Sequence, residues 1–121
     1  MDRIFVCTSD ALIDGGKGIR FPVTAGGEPL IAFAVRYRQL VHAYLNRCAH
    51  VAMELDWNEG EFFSAERDYL ICSVHGAIYA PDTGVCAGGP CRGGRLYSIA
   101  LIEEGGQVFW QPDNYVGPAI A

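Results

Sequence analysis

Cys48-Ala49-His50, followed after a gap of twenty-one residues by Cys72-Ser73-Val74-His75-Gly76-Ala77, is the stretch on which the fold turns. Each half brings one thiolate and one imidazole, the donors that suit zinc, copper and iron–sulfur centres. Two Cys and two His can close a tetrahedral structural zinc site. Zinc knuckles, however, pair Cys with Cys and His with His, whereas here each loop mixes the two. A mixed loop suits a two-iron cluster in which one iron takes both thiolates and the other both imidazoles. Donor count alone leaves both metals open.

Outward from these loops the chain reads as short strands. Residues 40–45 and 70–72 precede the two cysteines, so each loop leaves an extended segment. Residues 30–35 and 40–45 are rich in β-branched and aromatic side chains and flank residues 36–39, which predicts a hairpin. Residues 77–79 pair with 70–72 around the second cysteine. Residues 98–103 and 107–111 flank Gly105-Gly106, a pair suited to the positive φ values of a tight turn. Strand character also covers residues 3–8 and 19–24, the latter marked as an edge by Pro22. One short helical turn is expected within residues 54–69, where Gly60 blocks anything longer. With fifteen glycines and six prolines, this is an antiparallel all-β chain of many turns.

Composition narrows the function. A length of 121 residues fits one domain, 1–121, and half the residues are hydrophobic, which excludes disorder. The net charge is −5, and the nine Lys and Arg form no block, so a nucleic-acid partner is not expected. No apolar run approaches a membrane span, and residues 1–10 lack a basic segment followed by an apolar one. A cytoplasmic chain without a membrane partner is therefore expected. Its five cysteines (Cys7, Cys48, Cys72, Cys86, Cys91) then point to metal or redox chemistry before disulfides. No Gly-rich dinucleotide loop or second metal site is visible, so a carrier is expected and not an enzyme.

The pattern C-x-H, gap, C-x-x-H-G resembles the Rieske iron–sulfur family, and Thr83-Gly84 and Gly88-Gly89-Pro90 extend the likeness, which runs over about residues 45–111. The resemblance implies three stacked antiparallel sheets with a small cluster-binding subdomain at about 46–92, and a [2Fe–2S] cluster. Cys48 and Cys72 would bind one iron, His50 and His75 the other, and Gly88, Gly89 and Pro90 would shape a covering loop. Two thiolates balance the charge of two ferric ions and two sulfides, so the oxidised site is neutral. Its potential then falls above the all-cysteine type, within roughly −150 to +300 mV. High-potential relatives carry a serine where this chain has Ala77, and an inter-loop disulfide where it has Met53 and Val74. The tyrosine whose hydroxyl reaches a cysteine ligand in them matches Tyr79. The lower half of the window is expected, and with it a ferredoxin passing electrons from a flavin-dependent reductase to a terminal oxygenase. The alternatives are a small subunit of a reductase complex such as nitrite reductase, a redox sensor, and a zinc-stabilised interaction module.

The remaining residues have plainer readings. His42 is expected as an ordinary strand residue, Cys7 as a small buried hydrophobe, and Cys86 and Cys91 as free thiols in preference to a disulfide. Trp57, Phe62 and Phe63 should pack the cluster subdomain onto the sheets, and Trp110 and Tyr115 should pack the core or C-terminus. Arg92 and Arg95 are docking charges or, preferably, solvated turn residues.

Overall fold

β3 (Glu28–Tyr37) is the longest strand, and its apolar run is continuous because both of its faces are covered. Ala32 and Ala34 point into one core, and Phe33 and Val35 into another. Its hairpin partner β4 (Leu40–Leu45) alternates in the same way, with Ala43 and Leu45 on the first side and Tyr44 on the second. The computed structural model describes residues 3–49, 53–73 and 75–119. Within these, β1 (Ile4–Thr8), β2 (Ile19–Ala25), β8 (Ser98–Glu104), β9 (Gln107–Gln111) and β10 (Val116–Pro118) complete a sheet of order β1-β9-β8-β4-β3-β2-β10. The β4–β8 junction rests on two residue pairs, Ala43 with Ile99 and Tyr44 with Ser98. The sheet bends there, so that Phe21 of β2 meets Trp110 of β9 at 5.6 Å across the first core.

A second, smaller sheet holds β5 (Leu70–Ile71), β6 (Ile78–Tyr79) and β7 (Cys86–Gly88), all antiparallel. It packs on the aromatic side of the β3–β4 wall. Phe62 stacks on Phe33 with centroids 3.9 Å apart and planes 9° off parallel, and both rings are fully buried. Phe63 stacks less closely on Tyr37. The all-β expectation and the two sheet halves plus a small third sheet agree with the sequence. β7 and β10 escape it, because three-residue strands with a glycine inside carry no alternation to read.

Two expectations change, the helical turn in residues 54–69 and the packing of Trp57. Residues 54–69 hold no helix; the helical turn among the described residues is a 3-10 turn, Ser9–Ala11. Positive φ at Gly60 and Arg67 and the Glu61 and Arg67 amide bonds to Asn58 and Ser64 carbonyls make residues 54–69 a chain of separate turns. Trp57 is 80% exposed and is no part of the core clusters. Tyr115 is a surface residue against Tyr97, centroids 5.2 Å apart, while Trp110 is core as expected. Pro22 sits where an edge was expected, beyond the end of β10, whose register covers Val23 to Ala25 alone. Cys7 is buried in β1 and His42 half-buried in β4, where burial lowers its pKa. Among the described residues no helix is long and apolar enough to cross a membrane.

Two tight hairpins show two ways of reaching positive φ. Gly105-Gly106 does so by composition, with φ 59° and 76°. Arg38 and Gln39 adopt φ 50° and 73° with no glycine, because the Asp14 carboxylate accepts both of their amides at 3.1 and 2.6 Å. Asp14→Ala should therefore cost about 1–2 kcal/mol, read from the unfolding midpoint. Asn-Gly at positions 38 and 39 should largely cancel that loss, since the turn would no longer need Asp14. An equal loss in both backgrounds would contradict the assignment.

Candidate metal centre

Three loops converge at the outer end of the small sheet. The first leaves β4 through Asn46 and carries Cys48. The second joins β5 to β6 and carries Cys72 and His75. The third follows β7 through Gly88-Gly89-Pro90. Each is closed by its own backbone bonds: Cys48 N–H to Met53 C=O at 2.8 Å, Cys72 N–H to Ala77 C=O at 2.8 Å, and Gly76 N–H to Cys72 C=O at 2.9 Å. The Ser73 amide donates to the Leu55 carbonyl at 3.0 Å and so ties the second loop to the first.

The first loop is held by a buried polar hub that the sequence reading did not identify. Asn46 and Asp56 are its two buried polar side chains. Asn46 Nδ2 donates to Asp56 Oδ1 at 2.8 Å, and Asn46 Oδ1 accepts from the Leu55 amide at 2.8 Å. Asp56 also accepts from the Gly60 amide at 2.9 Å and from Arg20 Nη1 at 2.9 and 3.0 Å. Arg20 reaches Glu54 as well, at 3.3 Å. Arg20 stands on β2, so the hub fastens the loop from Asn46 to Gly60 to the main sheet. The one sequence signal was an asparagine just past the strand and two residues before the cysteine, followed by two carboxylates within ten residues.

Cys48 and Cys72 share the aromatic core with Tyr79, at 4% and 1% exposure. The Tyr79 hydroxyl lies 3.2 Å from Cys48 Sγ and accepts the Ala49 amide at 3.0 Å. Between a thiol and a hydroxyl either atom can donate; a metal-bound thiolate has no proton, so against it the hydroxyl would be the donor. Burial, then the bond to Cys48, push the Tyr79 pKa well above the ordinary phenol value, so the hydroxyl keeps its proton as a donor. His75 is exposed at the rim. His50 lies outside the described residues, as does Val74. Among the described residues no set of three or more Cys, His, Asp or Glu stands together as metal ligands.

The third loop covers the second closely. Gly89 has φ +82°, and a Cβ there would stand 2.9 Å from both Ala77 Cα and the Gly76 carbonyl oxygen. A Cβ at Gly94 would meet the Ala49 methyl at 3.0 Å, which brings the first loop against the same cover. Cys86 and Cys91 form a disulfide across this loop, with Cα atoms 5.7 Å apart. The expectation of free thiols is thus corrected: β7 and the turn after it bring the two residues within bridging distance, which a rule based on cellular compartment cannot see. The Ser73–Leu55 amide bond thus joins the first two loops, and the disulfide lies in the third.

A small β lobe whose loops enclose two buried cysteines beneath an exposed histidine defines a metal-centre domain. The family model for the Rieske [2Fe–2S] domain matches residues 2–104, and the chain belongs to that family. Its cofactor is accordingly a [2Fe–2S] cluster. No curated protein matches the sequence at a significant level. Among solved structures, the ferredoxin of carbazole 1,9a-dioxygenase from Nocardioides aromaticivorans IC177 is similar, with TM-score 0.73, 24% identity, and 93% of this chain and 100% of that one covered. The Sphingomonas yanoikuyae B1 ferredoxin gives 0.68, 19%, 92% and 100%. The terminal oxygenase of the Nocardioides carbazole system gives 0.69, 18% and 98%, but only 32% of its own length is covered. At these identities the likeness establishes the fold.

Tyr79→Phe removes the one side-chain donor to Cys48 Sγ among the described residues. Reduction adds negative charge that the donor stabilises, so the variant's potential should fall, by on the order of 50 mV for a bond difference of about 1 kcal/mol. Voltammetry of the two proteins reads this directly; an unchanged or higher potential would contradict the geometry.

Proposed function

We propose that the chain is a one-electron carrier in which Cys48 and Cys72 hold the inner iron of the cluster and His50 and His75 the outer. The observation that carries this reading is the uneven burial of the donors. Both sulfurs lie inside the aromatic core while His75 stands at the surface. A buried thiolate is stable only beside compensating positive charge and donors, and the site supplies the Tyr79 hydroxyl. When bound, the cluster supplies a one-electron couple. The protein's own part is to shield the sulfurs, fix their hydrogen bonds, and leave the imidazole edge open to a partner.

Donor and acceptor belong to the same proposal: a flavin-dependent reductase on one side and a terminal oxygenase on the other, in the cytoplasm. The carrier has no catalytic residue of its own in this reading. Support comes from the fold of the relatives. One similar solved structure is a complex of reduced oxygenase and oxidised ferredoxin in carbazole 1,9a-dioxygenase, with TM-score 0.68, 20% identity, and 89% of this chain and 91% of that one covered.

Potentiometric titration of the holoprotein tests the carrier reading. One electron per chain should be taken up reversibly, with a midpoint in the lower half of roughly −150 to +300 mV. Ala77→Ser should move it upward, because position 77 is fully buried beneath Gly89 and a hydroxyl there is enclosed beside the ligand loops. A chain without a reversible couple would overturn the proposal. An A77S variant with no upward shift would overturn the account of why the potential is low.

A further inference from the structure

The three converging loops differ in charge from the rest of the chain. Residues 47–53, 72–77 and 86–95 contain Arg47, Arg92 and Arg95 and no Asp or Glu, in a chain whose net charge is −5; the carboxylates of the first loop begin at Glu54, which with Glu28 lines a hollow on the other side of Arg47. All three arginines are exposed. Arg3, Arg20 and Arg36 elsewhere are each paired with a carboxylate. Among the described residues Arg47, Arg92 and Arg95 pair with none; Arg95 donates to the Thr83 carbonyl at 3.0 Å. Asp82, adjacent to Thr83, lines a separate hollow with His42 and Ser98.

Arg47 and Arg95 also flank a built feature. With Cys48, Ala49, Tyr97 and Tyr115 they line a cleft of about 300 Å³. Its lining includes the cysteine proposed to hold the inner iron and the Tyr97–Tyr115 pair, whose Tyr97 hydroxyl donates to Asp113 Oδ2 at 2.6 Å. Charged guanidinium forks beside aromatic rings, next to the redox group, form a surface for carboxylates held on a protein partner.

We propose that the electron-exchange face is this basic tip, and that it docks a redox protein presenting Asp and Glu around its own electron-entry or exit site. The proposal rests on the carrier reading and deepens it by fixing the sign of the partner's surface. The molecule's overall charge would suggest the opposite sign. The local field governs, because charges farther away than a Debye length, about 8 Å at physiological salt, are largely screened. The acidic body then orients the approach, turning the tip toward a negative partner.

The test uses holoprotein and fluorescein-labelled poly-L-glutamate as the acidic probe, followed by fluorescence anisotropy. The wild type should bind, with affinity falling as salt rises. Arg47→Glu/Arg95→Glu should lose about tenfold or more. Lys17→Glu/Arg38→Glu changes the net charge equally at exposed positions away from the tip and should bind nearly as the wild type does. Equal losses in the two double variants would overturn the proposal, as would the absence of binding at low salt. Competition by monomeric glutamate at equal residue concentration would also overturn it, by making the cleft a small-anion site. A second readout is oxidation of the reduced protein by hexacyanoferrate(III), in which the cluster loses one electron and the oxidant becomes hexacyanoferrate(II). The rate should fall with salt in the wild type and rise in R47E/R95E. The same samples are titrated for their couple: an intact couple with no charge effect removes only the basic face, whereas an absent couple removes the carrier reading itself.

Discussion

Everything else in the molecule depends on one wall with two interiors. The β3–β4 hairpin presents alanines to the main core and an aromatic pair, Phe33 and Tyr44, to the small lobe. Small residues on one side let the bent sheet close around Phe21 and Trp110. Large rings on the other side supply the floor on which Phe62 stacks and above which the ligand loops stand. Burying one such ring contributes roughly 1.5–3 kcal/mol. The seating of the metal lobe is thus mainly hydrophobic, with polar groups setting its register.

Asp56 is where that register is set. A carboxylate with a fully buried side chain is strongly unfavourable unless charge and hydrogen bonds compensate it. Here Arg20, Asn46 and the Gly60 amide do so together. The partners come from β2, from just past β4 and from the far side of the loop; loss of Arg20 would strand a buried charge, and loss of Asn46 would leave one Asp56 oxygen short of a donor. Asn46, Leu55, Asp56 and Gly60, which flank the stretch bearing Cys48, are thereby tied to β2. The Ser73–Leu55 bond passes that constraint to the loop bearing Cys72 and His75.

How much of this was legible in the sequence follows from how local each cause is. Gly105-Gly106 announces its hairpin because two neighbours suffice to define it. The hairpin over Arg38-Gln39 was readable from its two arms, but the cause of its turn was not, since that is Asp14, more than twenty residues away. The mixed Cys/His spacing was readable for the same local reason, and it led to the correct family. The Asn46–Asp56–Arg20 hub was not, because its members lie on three segments and each alone looks like a surface residue. Trp57 was misread on its hydrophobicity, although its neighbours Asp56 and Asn58 leave it on the outside of a turn. The Cys86–Cys91 bridge was misjudged because compartment was weighed and the short β7 could not be seen.

Cys48 and Cys72 are buried and His75 is exposed; in the proposed ligation this would suit transfer of an electron without admitting solvent to the thiolates. The most direct test of that claim is the EPR spectrum of the anaerobically purified, dithionite-reduced protein, with iron, sulfide and zinc measured on the same sample. About two irons and two sulfides per chain, with a rhombic signal whose mean g lies below the free-electron value, are what mixed Cys/His ligation predicts. A colourless, EPR-silent sample holding one zinc would contradict it and make Cys48, His50, Cys72 and His75 a structural staple.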